Sequence, residues 1–285
     1  MAAPSPPPGA VAFWKGHGTE NDFLLLPDPD GTALGSLSPG LVARMCDRRA
    51  GIGADGVIRV VRTQAYDDPA AVRAREAAEW FMDYRNADGS LAQMCGNGIR
   101  VLARYLAEQH GVPTDRALPI GTRSGVKHVV FEPDGRISAD MGAPEVNAET
   151  KVGVPGHTWP ASHVSMGNPH AVAFVERLED AGALSAPPRY ETADFPEGVN
   201  VEFVVRRGEH RLAIRVHERG SGDTRSCGTG ACAAMVAAAL ADRAPRGTTY
   251  QVDVPGGTLQ VTWAEDDRVW LTGPAVLVAE GRWTG

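Results

Sequence analysis

Two cysteines occupy matching settings in this chain. Cys95 opens the sequence CGNG, Cys227 opens CGTG, and each precedes a run with helical character. In the first run, Val101, Leu102, Tyr105 and Leu106 fall at helical spacing, and Gly111 is placed to cap the end. The second run is Ala-rich on all sides, which predicts a helix buried among close neighbours. Glycines beside each thiol let backbone N–H groups approach a ligand closely. A helix start adds unpaired donors and a partial positive charge, a setting for a carboxylate. The same field is expected to lower the thiol pKa from about 8.5 towards neutrality. Each motif therefore joins carboxylate binding to thiolate formation.

Two such motifs serving one carboxylate would put one sulfur on each side of the adjacent carbon. Inverting a stereocentre needs that arrangement, with a base on one face and an acid on the other. A thiolate removes the α-proton and the opposite thiol returns one. Aimed N–H donors stabilise the enediolate-like charge that develops. This route needs no pyridoxal phosphate, and no convincing lysine motif for one is present, so no cofactor is expected. The ordinary reading of a free cysteine is a small buried hydrophobe. Repetition at two helix starts argues against that for Cys95 and Cys227. Cys46, in the helical stretch LVARMC, and Cys232, inside the Ala-rich run, are instead read as structural. With no C-x-x-C knuckle and no His at zinc-ligand spacing, no metal is expected.

The elements around the cysteines repeat as well. Asn86 precedes Cys95 by nine residues and Glu218 precedes Cys227 by nine. An extended run comes before each motif, Trp80–Tyr84 and Leu212–His217. After each helix come two further strand-like runs, over 126–131 and 136–141, then over 258–263 and 268–271, each pair closed by Gly and Pro. Asn-containing turns lie earlier in each half, HGTENDF at 17–23 and SMGNPHAV at 165–172. Two homologous α/β halves are expected, joined near residues 140–160. The segment TQAYDDPAAVRAREAAE at 63–79 interrupts the pattern and reads as a charged, solvated insertion, a hairpin tip or a short helix.

Composition fits an enzyme of small molecules. At 285 residues the chain is long enough for two domains and a large core. Its net charge of −7 argues against nucleic acid or an anionic membrane as the main partner. The longest uncharged apolar run, Ala231–Ala241, is eleven residues, short of the roughly 18 a membrane span needs. The start, MAAPSPPPGA, lacks the basic and apolar regions of a signal peptide and reads as a disordered Pro-rich tail over 1–10. The cytoplasm, where thiols stay reduced, is the expected compartment.

The chain resembles the diaminopimelate epimerase family. The resemblance rests on MCGNG at 94–98 and SCGTGACAA at 226–234. GIGADG at 51–56, YRNADGS at 84–90, MGNPHAV at 166–172, GVNVEF at 198–203 and ERGSGDT at 218–224 extend it. The related proline racemases usually carry His where this chain has Asn97, and the phenazine-biosynthesis relatives lack the cysteine pair. The resemblance implies Cys95 and Cys227 as the two catalytic bases. Gly96, Asn97, Gly228 and Thr229 match the helix-start groups that hold the reacting carboxylate. Asn21, Asn86, Asn168 and Asn200 match substrate-contacting asparagines, and Glu218 and Arg219 the pair that holds ammonium and carboxylate groups. His170 matches a supporting histidine beside the reacting centre. Such a set suits a zwitterion, since amides both donate and accept and Arg binds carboxylate bidentately. Gly56, where many members have Gln, and Asp223, where many have Glu, depart from the pattern.

The implied fold is α/β (α+β), two pseudo-symmetric domains that each wrap a mixed sheet or barrel around a central helix, with the active site in the interdomain cleft. By position the domains are 1–140 plus 273–285, and 141–272. The implied reaction interconverts LL- and meso-diaminopimelate, for lysine and peptidoglycan precursors, and the family also implies a homodimer. Two alternatives stay open: another cofactor-independent amino-acid racemase on the same scaffold, proline racemase-like, and a non-enzymatic thiol redox protein.

Overall fold

The computed structural model describes residues 10–285; all but Ala10 of the expected Pro-rich tail lies outside the described residues. The chain divides into two compact units. One holds residues up to Gly18, then Asp22–Phe131 and Ala275–Gly285; the other holds Thr19–Asn21 and Glu132–Pro274.

Both units follow one strand plan. In the first, Asn21–Pro27 runs parallel to Gly56–Arg62, which pairs antiparallel with Trp80–Asn86. Trp80–Asn86 is parallel to Leu118–Thr122, and Leu118–Thr122 antiparallel to Gly125–Phe131. In the second, Pro169–Phe174 is parallel to Asn200–Gly208, which is antiparallel to Arg211–Glu218. Arg211–Glu218 is parallel to Thr249–Val254, and Thr249–Val254 antiparallel to Gly257–Trp263. In each unit the helix lies in the second parallel crossover, Gly96–His110 in one and Gly228–Asp242 in the other. A parallel pair needs such a crossover, and a helix fills it. The repeat seen in the sequence is thus a repeat of topology. The fold is mixed α+β, dominated by strands.

Each helix is shaped by its sequence. Gly96–His110 buries Ile99, Val101, Leu102, Ala103, Tyr105 and Leu106, and stops at Gly111, whose φ of 62° is the left-handed conformation that glycine adopts without strain. Gly228–Asp242 is buried on nearly every side, from Gly228 through Ala239 except Thr229. Its alanines leave little side-chain bulk, so strands on several sides approach the helix backbone. The C-terminal strand Val276–Trp283 pairs antiparallel with Val11–Gly18 in the first unit.

Residues 63–79 differ from expectation. They hold a short helix, Pro69–Ala74, capped by Asp68, as one of the two expected forms, but the helix is docked rather than solvated. Ala70, Ala71 and Ala74 are buried, and the first two pack with Val61 and Phe81. Alanines at i, i+1 and i+4 line one face, and that small apolar face docks the segment. Arg123 fixes its start by pairing with Asp68 and the fully buried Asp83.

Candidate active site

Cys95 and Cys227 are the N-caps of the two helices. Both have extended backbone, φ −136° at Cys95 and −114° at Cys227. Cys95 Sγ accepts the N–H of Gly98 at 3.4 Å, and Cys227 Sγ accepts the N–H of Gly230 at 3.3 Å. The first intrahelical bonds follow, Ile99 N–H to Cys95 O at 2.9 Å and Ala231 N–H to Cys227 O at 3.0 Å. A sulfur therefore occupies the place of a capping oxygen twice, with the N–H groups of Gly96 and Gly228 just inside.

The first unit holds Asn86, Cys95, Gly96 and Asn97. Asn86 ends its strand and its amide donates to Ser90 Oγ at 3.0 Å. Asn97 is fully buried, and its Oδ1 accepts from Arg100 at 2.9 Å. Arg100, also fully buried, donates to Gly96 O at 2.9 Å. The Asn97 side chain thus supports the helix start, and its backbone N–H is one of the donors there. Gly56 pairs with Asn86 across the sheet, and a Cβ there would meet Arg85 O at 2.5 Å and the Tyr84 ring at 2.7 Å. Tyr84 fills the space that a longer side chain at this position would need.

The second unit holds Asn21, Asn168, His170, Asn200, Glu218, Arg219, Cys227, Gly228 and Thr229. Asn200 is in register with His170 on the neighbouring strand. Its Oδ1 accepts the Arg219 N–H at 2.9 Å and its amide donates to Pro169 O at 3.1 Å. The Arg219 side chain is exposed and donates to Glu197 O at 3.0 Å. Glu218 accepts from Thr224. Thr229 Oγ1 lies 3.5 Å from Cys227 Sγ and accepts from the Asn168 amide at 3.4 Å. Asn21 follows two residues in the left-handed region, Thr19 at φ 49° and Glu20 at φ 61°. Thr19 Oγ1 is 2.6 Å from Ser226 Oγ and Glu20 pairs with Arg225, so the turn is clipped to the residues leading into Cys227.

Electrostatics correct one expectation. The Cys227 thiol is not lowered towards neutrality but pushed well above its usual range. Burial does most of this, and the charges of Glu218 and Glu202 add to it against the Thr229 and Gly230 hydrogen bonds. Cys227 is enclosed, while Cys95 is only half-buried. Glu218 is itself raised, by burial first and by the nearby charge of Glu202, against the Thr224 hydrogen bond. Cys46 is raised to about 11, again chiefly by burial, and Cys232 is fully buried in its helix. Among the described residues no group of three or more His, Cys, Asp or Glu could hold a metal ion, and no helix is long and apolar enough to cross a membrane.

Sequence reasoning missed Glu202. It is fully buried, and its Oε1 lies 2.7 Å from His170 Nδ1. A signal was available: Glu202 stands two residues after Asn200 in a strand that is otherwise apolar, NVEFVV, so both face the same side.

The profile of the family described as diaminopimelate epimerase matches residues 13–147 and 162–278. The diaminopimelate epimerase of Streptomyces coelicolor is 55% identical over 279 residues, covering 95% of this chain and 94% of that one. That of Thermobifida fusca is 50% identical, covering 95% and 97%. Among solved structures, a phenazine biosynthesis protein of Bacillus anthracis superposes with TM-score 0.68 at 16% identity, covering 96% of this chain and 99% of that one. A hydroxyproline epimerase of Agrobacterium vitis gives 0.67 at 14%, covering 96% and 92%. These distant structures share the fold, while the sequence matches go further: the chain belongs to the diaminopimelate epimerase family.

Proposed function

We propose that this protein interconverts LL-2,6-diaminopimelate and meso-diaminopimelate, with Cys95 and Cys227 as the two bases. The observation that carries the reading is the twinned cap: in each unit a cysteine sulfur accepts the N–H three residues into a glycine-rich helix start. The chemistry requires one sulfur for each face of the α-carbon. One thiolate takes the α-proton, the carboxylate takes up the electron pair as an enediolate, and the other thiol protonates the opposite face. Helix-start N–H groups at Gly96, Asn97, Gly228 and Thr229 stabilise the charge on the oxygens. Because the reaction runs both ways, each sulfur must act as base in one direction and as acid in the other.

Asn21, Asn86, Asn168 and Asn200 supply amides for a doubly zwitterionic substrate, Glu218 an acceptor for ammonium, and Arg219 a partner for a second carboxylate. His170 supports this set. A reduced compartment, the cytoplasm, suits free thiols. The family likeness supports a homodimer, which light scattering of the purified protein tests; a monomer mass overturns it.

The deciding experiment is α-proton exchange in D2O with LL- and meso-diaminopimelate, under reducing conditions and without added cofactor. Deuterium is expected at one carbon of each, with conversion to the other isomer. No exchange with either isomer rejects the reading.

A further inference from the structure

Behind the Cys227 cap runs a chain of hydrogen-bond contacts that begins at a group with no role so far. Glu202 Oε1 is 2.7 Å from His170 Nδ1. His170 Nε2 is 3.1 Å from Asn168 Oδ1. The Asn168 amide reaches Thr229 Oγ1 at 3.4 Å, and Thr229 Oγ1 lies 3.5 Å from Cys227 Sγ. We propose that Glu202 is a positioning residue of the reaction, orienting His170 and, through His170, Asn168 and Thr229 against the Cys227 thiol.

Three observations carry this. First, Glu202 and His170 are both fully buried, and the second carboxyl oxygen, Oε2, has no hydrogen-bond partner among the described residues. A buried acid with one unpaired oxygen costs free energy that an apolar residue at the same place would not. Val201, Phe203, Val204 and Val205 around it show that the strand otherwise selects apolar side chains. Second, the helix start is built to admit this carboxyl group. A Cβ on Gly230 would stand 2.7 Å from Glu202 Oε1 and 3.3 Å from Cys227 Sγ, so the glutamate lies directly against the turn whose N–H bonds the thiol. Third, the contact defines a ring state. The Glu202 carboxylate at Nδ1 and the Asn168 amide oxygen at Nε2 are both acceptors, so each ring nitrogen donates one hydrogen bond and the plane of the imidazole is fixed between them.

The proposal rests on the epimerase reading, and its tests separate the two. Glu202→Gln keeps the shape, and its amide oxygen can still accept, but it removes the charge. In the D2O exchange assay kcat is expected to fall about 10–100-fold with KM within about threefold, the pattern of a misplaced reacting group rather than lost binding. In a His170→Asn background the same change is expected to alter kcat by less than about twofold, because the pair acts as one unit. A Glu202→Gln protein with wild-type kcat overturns the proposal, as do losses that multiply independently across the two backgrounds, while wild-type exchange in the same assay leaves the epimerase reading intact. Should Glu202→Gln fail to fold, 15N NMR of histidine-labelled wild-type protein decides alone. A proton on His170 Nδ1 is expected, and a bare Nδ1 overturns the assignment.

Discussion

Cys227 Sγ accepts the N–H of Gly230 at 3.3 Å, so one atom is both the helix cap and a proposed base. The two duties respond differently to substitution. Serine is a better cap than cysteine, whereas alanine cannot cap, at a cost of about 1 kcal/mol. Cys227→Ser and Cys95→Ser are therefore expected to keep full stability in urea melts, and the two Ala variants to lose about 1 kcal/mol. Epimerisation should drop by at least about 10³-fold in all four, since each lacks one of two bases. Near-normal turnover in any of them would end the two-thiol mechanism.

The paired glycines inside the caps predict an asymmetry. A Cβ on Gly230 meets Glu202 Oε1 at 2.7 Å, while one on Gly98 meets Met82 Cε at 2.8 Å and Ile58 Cδ1 at 3.1 Å. The ends of Met82 and Ile58 are flexible and apolar and can yield. The Glu202 carboxyl is held on His170, so it can yield only by disturbing that contact. Gly230→Ala should therefore lose activity at least about tenfold more than Gly98→Ala, whose helix gains up to about 1 kcal/mol of propensity. Equal losses in the exchange assay would show that the two helix starts are supported alike.

Much of this was legible in the sequence because it is local. Cap, glycines and helix occupy consecutive residues, and the spacing from Asn86 to Cys95 recurs from Glu218 to Cys227. Less legible was what depends on contacts between distant segments. Glu202 meets His170 across neighbouring strands, and although an acid within NVEFVV is a local signal, only the strand pairing shows its partner. The thiol of Cys227 went the wrong way for the same reason. A helix start alone lowers a thiol, but here burial and two carboxyl groups from other strands outweigh it. Residues 63–79 look charged and solvated when counted, yet three alanines on one face are enough to dock them.

Glu218 should show a conflict between stability and activity. Its folded pKa is raised, so the folded state favours the protonated acid. That contribution is present below the unfolded pKa and is lost as pH rises through the folded value. At neutral pH, then, Glu218 costs stability, and Glu218→Gln should raise the melting temperature while it lowers turnover. The gain should shrink towards zero below about pH 4, where both states hold the proton. A melting temperature that falls at neutral pH, or a gain that persists unchanged in acid, would contradict the assignment.

Specificity should rest on the far end of the substrate. The reacting carbon is accepted in both configurations, so selection has to come from groups that hold the other end in its L form. We propose that Asn86, Asn200, Glu218 and Arg219 do so. Arg219 is exposed, and its stem lies over Gly198, where φ is 86° and a Cβ would meet Arg219 Cδ at 3.0 Å. That glycine lets the guanidinium stem lie close to the backbone. LL- and meso-diaminopimelate each contain an L end and should interconvert, whereas the DD isomer should be inert. Lysine lacks the distal carboxylate and should be a much poorer substrate in kcat/KM, because Arg219 is left without its charged partner. Arg219→Lys keeps the charge but loses the planar fork, so it should raise KM for diaminopimelate by about tenfold. Arg219→Ala should narrow the preference for diaminopimelate over lysine, since the group that reads the difference is gone. If the preference is unchanged in Arg219→Ala, another residue reads the distal carboxylate.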